Sequence, residues 1–179
     1  AGVTRFVHGS TIGVYGSGHS GLIDEDTATR PDNIYGITKL EGEGVVRQFG
    51  SEIEVSIIRI SETYGPGDGR LLKLFKAIKS GTFFVLGTGT NLHQLIHVDD
   101  LVRGLMAAAT RPAARSETIL LAGREQLTTT EMCTCVASAV GVSLSRLRAP
   151  LWPFDVAAMV FEAVCPRLGI QPPLHRRRL

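Results

Sequence analysis

The sequence is poor in the residues that would narrow its chemistry at once. Three cysteines in 179 residues, Cys133, Cys135 and Cys165, make neither a disulfide framework nor a zinc site. Cys133 and Cys135 form a C-x-C on an expected helix, where thiols pack as small apolar groups far more often than they ligate. An excess of one charge is also lacking: 19 Lys and Arg against 17 Asp and Glu leave a net charge of +2. That balance implies no polyelectrolyte partner, so nucleic acid is not expected. No apolar run reaches membrane-spanning length, and no signal-peptide pattern opens the chain. There is no internal repeat and no low-complexity tract. His8, His93 and His97 fall on different expected strands with no carboxylate at ligand spacing, so no metal site is expected. The initiator Met is missing too, and the chain stops at Leu179 just after Arg176, Arg177 and Arg178, so both ends read as cuts through a longer protein. These arginines have no aromatic interleaving and read as a solvated cluster. What survives is an ordinary globular protein, for which a reducing cytoplasm is the default.

What is present alternates strand and helix. "TRFVHGS" (Thr4–Ser10) reads as a short buried strand, followed by a Gly/Ser-rich loop from Gly13 to Gly21. A polar, turn-forming segment ends at Pro31 and Asp32. A helix is expected from about Ile34 to Phe49, weakened by Gly36, Gly42 and Gly44 unless something packs closely there. "EVSIIRI" (Glu54–Ile60) is a β-branched run that reads as a buried parallel strand. After a turn cluster at Thr63–Gly69, a helix runs from Arg70 to a stop at Gly81. "FFVLG", "HQLIHV" and "TILLAG" read as further short strands. "DDLVRGLMAAAT" reads as a helix capped by Asp99 or Asp100, a role more natural for them than paired catalytic carboxylates. Thr128 to Glu131 has capping-box spacing at the start of another helix. A last apolar helix is interrupted by Pro166. The second half lacks the long Val/Ile runs of a central sheet, which predicts a smaller lobe beginning near Gly65–Gly69.

The chemistry centres on "DNIYGITKLEGEG" (Asp32–Gly44). Tyr35 and Lys39 stand four apart, about one helical turn, so both project from one face. A phenol is a poor base at neutral pH. An ammonium one turn away stabilises the phenolate, which can take a proton from an alcohol or return one to an alkoxide. Ser10 and Thr11, at the end of the first strand, can supply an orienting hydroxyl, and strand C-terminal ends are where open α/β sheets carry their sites. Two glycine patterns are decoys. Gly16-Ser17-Gly18-His19-Ser20-Gly21 satisfies G-x-G-x-x-G, but "LIDEDTATRP" after it is no helix, and "GTGTNL" (87–92) leads into a strand-like stretch.

In order, the chain carries "RFVHGSTIGVYG" (5–16), "IDED" (23–26), "RPDNIYGITKLEGE" (30–43), "IIRISETYGPGD" (57–68), "GTGTNLHQLIHVDDLV" (87–102) and "AGREQLTTTEM" (122–132). This series resembles the extended short-chain dehydrogenase/reductase family, also called the NAD-dependent epimerase/dehydratase family. The resemblance implies an α/β fold: the C-terminal part of a Rossmann-like parallel-sheet domain (1–65) and a small α/β substrate-binding lobe (66–179), with a soft, interleaved boundary. It implies that Tyr35 is the catalytic acid/base, that Lys39 assists it and holds the nicotinamide ribose, and that Thr11 is the catalytic hydroxyl, with Ser10 flanking it. Ile60 and Ser61 would pack against the nicotinamide. Thr11, Glu62 and Arg70 would meet substrate, Arg70 taking an anionic group. The cofactor would be NAD or NADP, NAD preferred. The first nucleotide-binding strands would lie upstream of Ala1, so the chain alone is expected to be inactive, and the full-length protein is expected to be a homodimer.

Departures from the pattern sharpen the expectation. The family usually shows Pro and Asn where this chain has Ile60 and Glu62, and a carboxylate at 62 repels a diphosphate instead of donating to it. Thr11 is followed by Ile12 and Gly13, not by the acid pair implied for dehydratases, which disfavours water loss. Epimerase or dehydrogenase/reductase chemistry on a nucleotide sugar is the leading expectation. One rival is oxidation or reduction of an apolar alcohol or ketone, as in 3β-hydroxysteroid-dehydrogenase-like branches. Another is a non-catalytic fragment or binding module without a dinucleotide site.

Overall fold

The computed structural model describes residues 2–19, 21–145 and 147–165. Pro166 and Arg176–Arg178 lie outside them. The chain divides into two compact units, residues 1–68 with 94–126, and residues 69–93 with 127–179.

The first unit is built on a parallel sheet in the order β1 (Arg5–Thr11), β2 (Glu54–Ile60), β7 (Thr118–Leu121). β1 and β2 pair from Arg5↔Glu54 to Thr11↔Ile60, and β2 and β7 from Ile57↔Thr118 to Ile60↔Leu121. The three strands therefore finish level, with Thr11, Ile60 and Leu121 side by side. β2 lies between two strands and is buried from Val55 through Arg59, as a central parallel strand should be. The period of two divides the residues by face. Val7, Ile58, Ile60, Ile119 and Leu121 pack with Leu105, Ala108 and Ala114 beneath α3 (Val98–Thr110). His8, Ser10 and Arg59 face the other way, toward α1 (Ile34–Arg47). A short parallel pair, β3 (Thr63–Tyr64) with β6 (Ile96–His97), extends this unit.

In the second unit, α2 (Gly69–Lys79) and α4 (Thr129–Ala139) share a core in which Ile78, Cys133 and Ala137 are buried among Leu74, Phe83, Met132 and Val136. Two short pairs flank it: β4 (Val85–Leu86) with β9 (Arg148–Ala149), and β5 (Leu92–His93) with β8 (Leu127–Thr128). α5 (Trp152–Val164) follows. No helix among the described residues is long and apolar enough to cross a membrane. Among them there is also no cluster of His, Cys, Asp or Glu able to hold a metal ion.

Several expectations need correction. "HQLIHV" is not one strand: the chain passes from the second unit to the first between His93 and Gln94, splitting it into β5 and β6. The cap of α3 is His97, not an aspartate; its ring accepts from the Asp99 amide at 3.3 Å, and both aspartates stand in the first turn. Gly13–Tyr15, expected as the start of a loop, belong to a 3-10 turn, Ile12–Tyr15, capped by Thr11. The second half is not one contiguous lobe, because residues 94–126 return to the first unit.

Candidate active site

The site starts where β1 ends. Thr11 has extended backbone and caps the 3-10 turn, its Oγ1 accepting from the Gly13 amide at 3.1 Å. That bond uses an oxygen lone pair and leaves the O–H to be donated. A β-carbon at Gly13 would stand 3.5 Å from Thr11 Oγ1 and 3.8 Å from Tyr35 Cδ1. The bare glycine is thus the floor between the two side chains.

α1 is held against that floor at its first turn. Asn33 caps it, accepting from the Gly36 amide at 2.9 Å. Gly36 itself is buried, and a β-carbon there would lie 2.5 Å from the Gly13 carbonyl oxygen. The helix-weakening glycine is present because helix and turn meet backbone to backbone. Tyr35 stands beside this contact with 57% of its surface exposed. One turn on, Lys39 Nζ donates to the Gly9 carbonyl at 3.0 Å, which ties the ammonium to the C-terminal half of β1. The loop leading into α1 is pinned as well, since Asp32 accepts from both the amide and the hydroxyl of Ser17.

Ser10 adjoins Thr11 in the chain, but its hydroxyl turns away toward α1. It is 4% exposed and its hydroxyl donates to Glu43 Oε1 at 2.6 Å. Successive strand residues point to opposite faces, so the residue before Thr11 belongs under α1. Glu43 is 1% exposed and is met by Arg59 as well, through Nε at 3.1 Å and Nη2 at 2.9 Å. Arg59 Nη1 donates to the Tyr15 hydroxyl at 2.9 Å and to the Glu25 carbonyl at 3.3 Å. Its guanidinium also lies over the Tyr15 ring, 4.9 Å from the centroid. Burial works against ionisation of Glu43, but hydrogen bonds from Arg59 and Ser10 and the charges of Arg59 and Arg47 outweigh it, and the carboxyl is held below its ordinary range. Burial likewise opposes the charge on Arg59, and its bonds to Glu43 and Tyr15 overcome that and hold its pKa up. His8, on the same face, is pushed down by burial and then by the Lys39 charge, against a smaller opposing effect of Glu43. Sequence reasoning missed this network. Its only signal was a Glu one turn beyond Lys39 and an Arg inside a β-branched run.

Ile60 and Ser61 close β2. Ser61 is buried, and its Oγ has no hydrogen-bond partner among the described residues, while its amide donates to the Leu121 carbonyl at 3.0 Å. A buried hydroxyl without a partner is costly unless something outside the chain satisfies it. Glu62 is exposed just beyond, in the first unit. Arg70 is exposed in the first turn of α2, in the second unit.

The described residues fit the nicotinamide end of a dinucleotide: Ser61, with its orphaned hydroxyl, follows the C-terminal end of β2, and α1 carries the exposed Tyr35 phenol and the Lys39 ammonium bonded to Gly9 of β1. They supply no glycine turn opening onto a helix for a pyrophosphate. Gly16 has φ +76 and a β-carbon there would strike the Arg30 carbonyl, and among the described residues no helix begins between Gly16 and α1. Gly87 and Gly89 precede β5.

Residues 1–123 match the model of the NAD dependent epimerase/dehydratase family. A UDP-glucose 4-epimerase of Vibrio cholerae is 29% identical over 168 residues, 90% of this chain and 51% of that protein. A dTDP-glucose 4,6-dehydratase of Streptomyces griseus is 34% identical over 119 residues, 63% of this chain and 36% of that one. The crystal structure of a UDP-glucuronic acid 4-epimerase from Bacillus cereus in complex with NAD superposes with a TM-score of 0.71 at 29% identity, covering 82% of this chain and 50% of that one. The chain spans about half or less of the length of these relatives. With its parallel sheet and the family model extending from Ala1 through Gly123, the chain belongs to the NAD-dependent epimerase/dehydratase family.

Proposed function

We propose that the chain carries the proton-transfer part of an NAD-dependent oxidoreduction at a hydroxyl carbon of a nucleotide sugar. NAD, when bound, accepts a hydride from that carbon and, in an epimerase, returns it to the opposite face. Tyr35 takes the hydroxyl proton as the ketone forms and gives it back as the alcohol is restored. Lys39 keeps two donors beyond its bond to Gly9, enough to stabilise the phenolate and hold a ribose hydroxyl. Thr11 donates its free O–H to the substrate oxygen. Ser61 meets the nicotinamide side. The observation that carries this reading is that Thr11 and the Tyr35 ring both border Gly13, with Lys39 bonded to the Gly9 carbonyl on the strand that Thr11 ends.

Relatives named for UDP-glucose, UDP-glucuronic acid and dTDP-glucose support a nucleotide sugar. Ile12 and Gly13 after Thr11 favour epimerisation or simple oxidation over dehydration. Glu62 at the substrate side favours a second reading, an alcohol without a diphosphate. A substrate panel on the protein expressed from its own gene decides between them: turnover of UDP-sugars supports the first, and turnover confined to apolar alcohols the second. The 179-residue chain by itself should bind NAD weakly, and submillimolar binding by calorimetry would contradict that expectation.

A further inference from the structure

The geometry points to Glu43 as the positioning residue of this site, acting through Ser10 and Arg59; the inference rests on the Thr11–Tyr35–Lys39 reading above. Each member of the cluster is one residue or one helical turn from a proposed site residue. Ser10 immediately precedes Thr11. Arg59 immediately precedes Ile60 and Ser61. Glu43 is one turn from Lys39 and two from Tyr35. Ser10 and Arg59 are also directly opposite each other in the β1–β2 register. One carboxylate thus accepts from both strands, Ser10 at 2.6 Å and Arg59 at 2.9 and 3.1 Å, at the level where the site begins. Tyr15, which closes the 3-10 turn that Thr11 caps, joins through Arg59.

The energetics fit a positioning role. Apolar residues can replace a buried ion pair with little or no loss of stability, so stability alone does not explain this one. What apolar residues cannot supply is direction. Sliding α1 by one residue turns it by about 100°, which would carry Glu43 away from both strands. The same slide would take Lys39 off the Gly9 carbonyl and Tyr35 off Gly13. Glu43 lies too deep to touch substrate, and its effect is on where those two side chains stand.

The test uses the 179-residue chain with isotope-labelled lysine and tyrosine, read by NMR beside thermal melting. Ser10→Ala/Glu43→Leu/Arg59→Met removes the polar partners together, and Glu43→Gln keeps the shape but removes the charge. In the triple variant the melt should stay cooperative, the Lys39 ammonium signal should be lost, and the Tyr35 ring signals should shift. Tyr64, which packs edge-on against His97, should not move. Glu43→Gln should shift Lys39 and Tyr35 in the same direction by less. Cooperative melting with Lys39 and Tyr35 unchanged would overturn the inference. If the triple variant does not melt cooperatively, Glu43→Gln decides by the same criterion. No turnover is read, so the two ideas fail separately. A fully active Tyr35→Phe enzyme would remove the catalytic reading and leave these signals as they are. Unchanged signals would remove the positioning role and leave Tyr35 catalysis standing.

Discussion

Arg59 is 5% exposed and its charge is answered by the Glu43 carboxylate. Among the described residues, Glu43→Ala would leave that guanidinium buried with only the Tyr15 hydroxyl and the Glu25 carbonyl as hydrogen-bond partners. Removing one member of a buried pair costs roughly 3–5 kcal/mol, and urea unfolding of the variant should show a loss of that order. Tyr35→Phe should behave in the opposite way. The phenol is more than half exposed, so unfolding stability should change by no more than about 0.5 kcal/mol, while turnover in the cofactor-bound enzyme falls by ~100-fold or more. The four-residue spacing of Tyr35 and Lys39 was legible in the sequence, and both stand on α1. Ser10 was misread because a neighbouring hydroxyl looks equivalent in one dimension and lies on the opposite face of a strand in three. Glu43 and Arg59 could not be paired from sequence, since sixteen residues and a change of element separate them.

At the scale of elements, α1 contains a useful contrast. Gly44 has nothing within 4 Å of a built β-carbon, so Gly44→Ala should stabilise by about 0.5–1 kcal/mol through helix propensity. Gly36→Ala makes the same gain in propensity but drives its β-carbon onto the Gly13 carbonyl oxygen at 2.5 Å and against Pro31 at 3.0 Å. Overpacking of this kind costs roughly 1–3 kcal/mol, so thermal melting should rank the two variants on opposite sides of the parent. β2 and α4 were readable in advance for local reasons. A β-branched run from Glu54 to Ile60 is sufficient for a central strand, and Thr128 with Glu131 forms the complete capping box. The two-residue strands β5, β6 and β9 were not, because tertiary pairing alone defines them. Nor was the His97 cap, a role the ring takes from two acidic residues that follow it.

For the molecule as a whole, an interleaved boundary was expected, but the point where the chain returns to the first unit was not legible. The break at 68–69 falls in a visible turn cluster, whereas the return at Gln94 falls inside a stretch that reads as one strand. Acid stability is also a property of the first unit as a whole. His8 has a folded pKa below its ordinary 6.5, so an unfolded chain takes up a proton that the folded one refuses, and stability falls as the pH drops below about that value. Glu43 is depressed below 4.5, so its contribution is present above that pH and is lost as the pH falls through the depressed value. Denaturant midpoints should therefore decline in two stages on acidification, and a His8→Gln variant should lose the first stage only.

The central claim is that Tyr35 moves the proton when a nucleotide-sugar hydroxyl is oxidised. It is tested most directly by mixing the NAD-bound protein, expressed from its own gene, with UDP-glucose and with UDP-glucuronic acid, and following reduced nicotinamide in a single turnover. The account predicts reduction with at least one of the two sugars and its near-complete loss in Tyr35→Phe. Reduction at an undiminished rate in Tyr35→Phe, or none with either sugar while an apolar alcohol reacts, would contradict it.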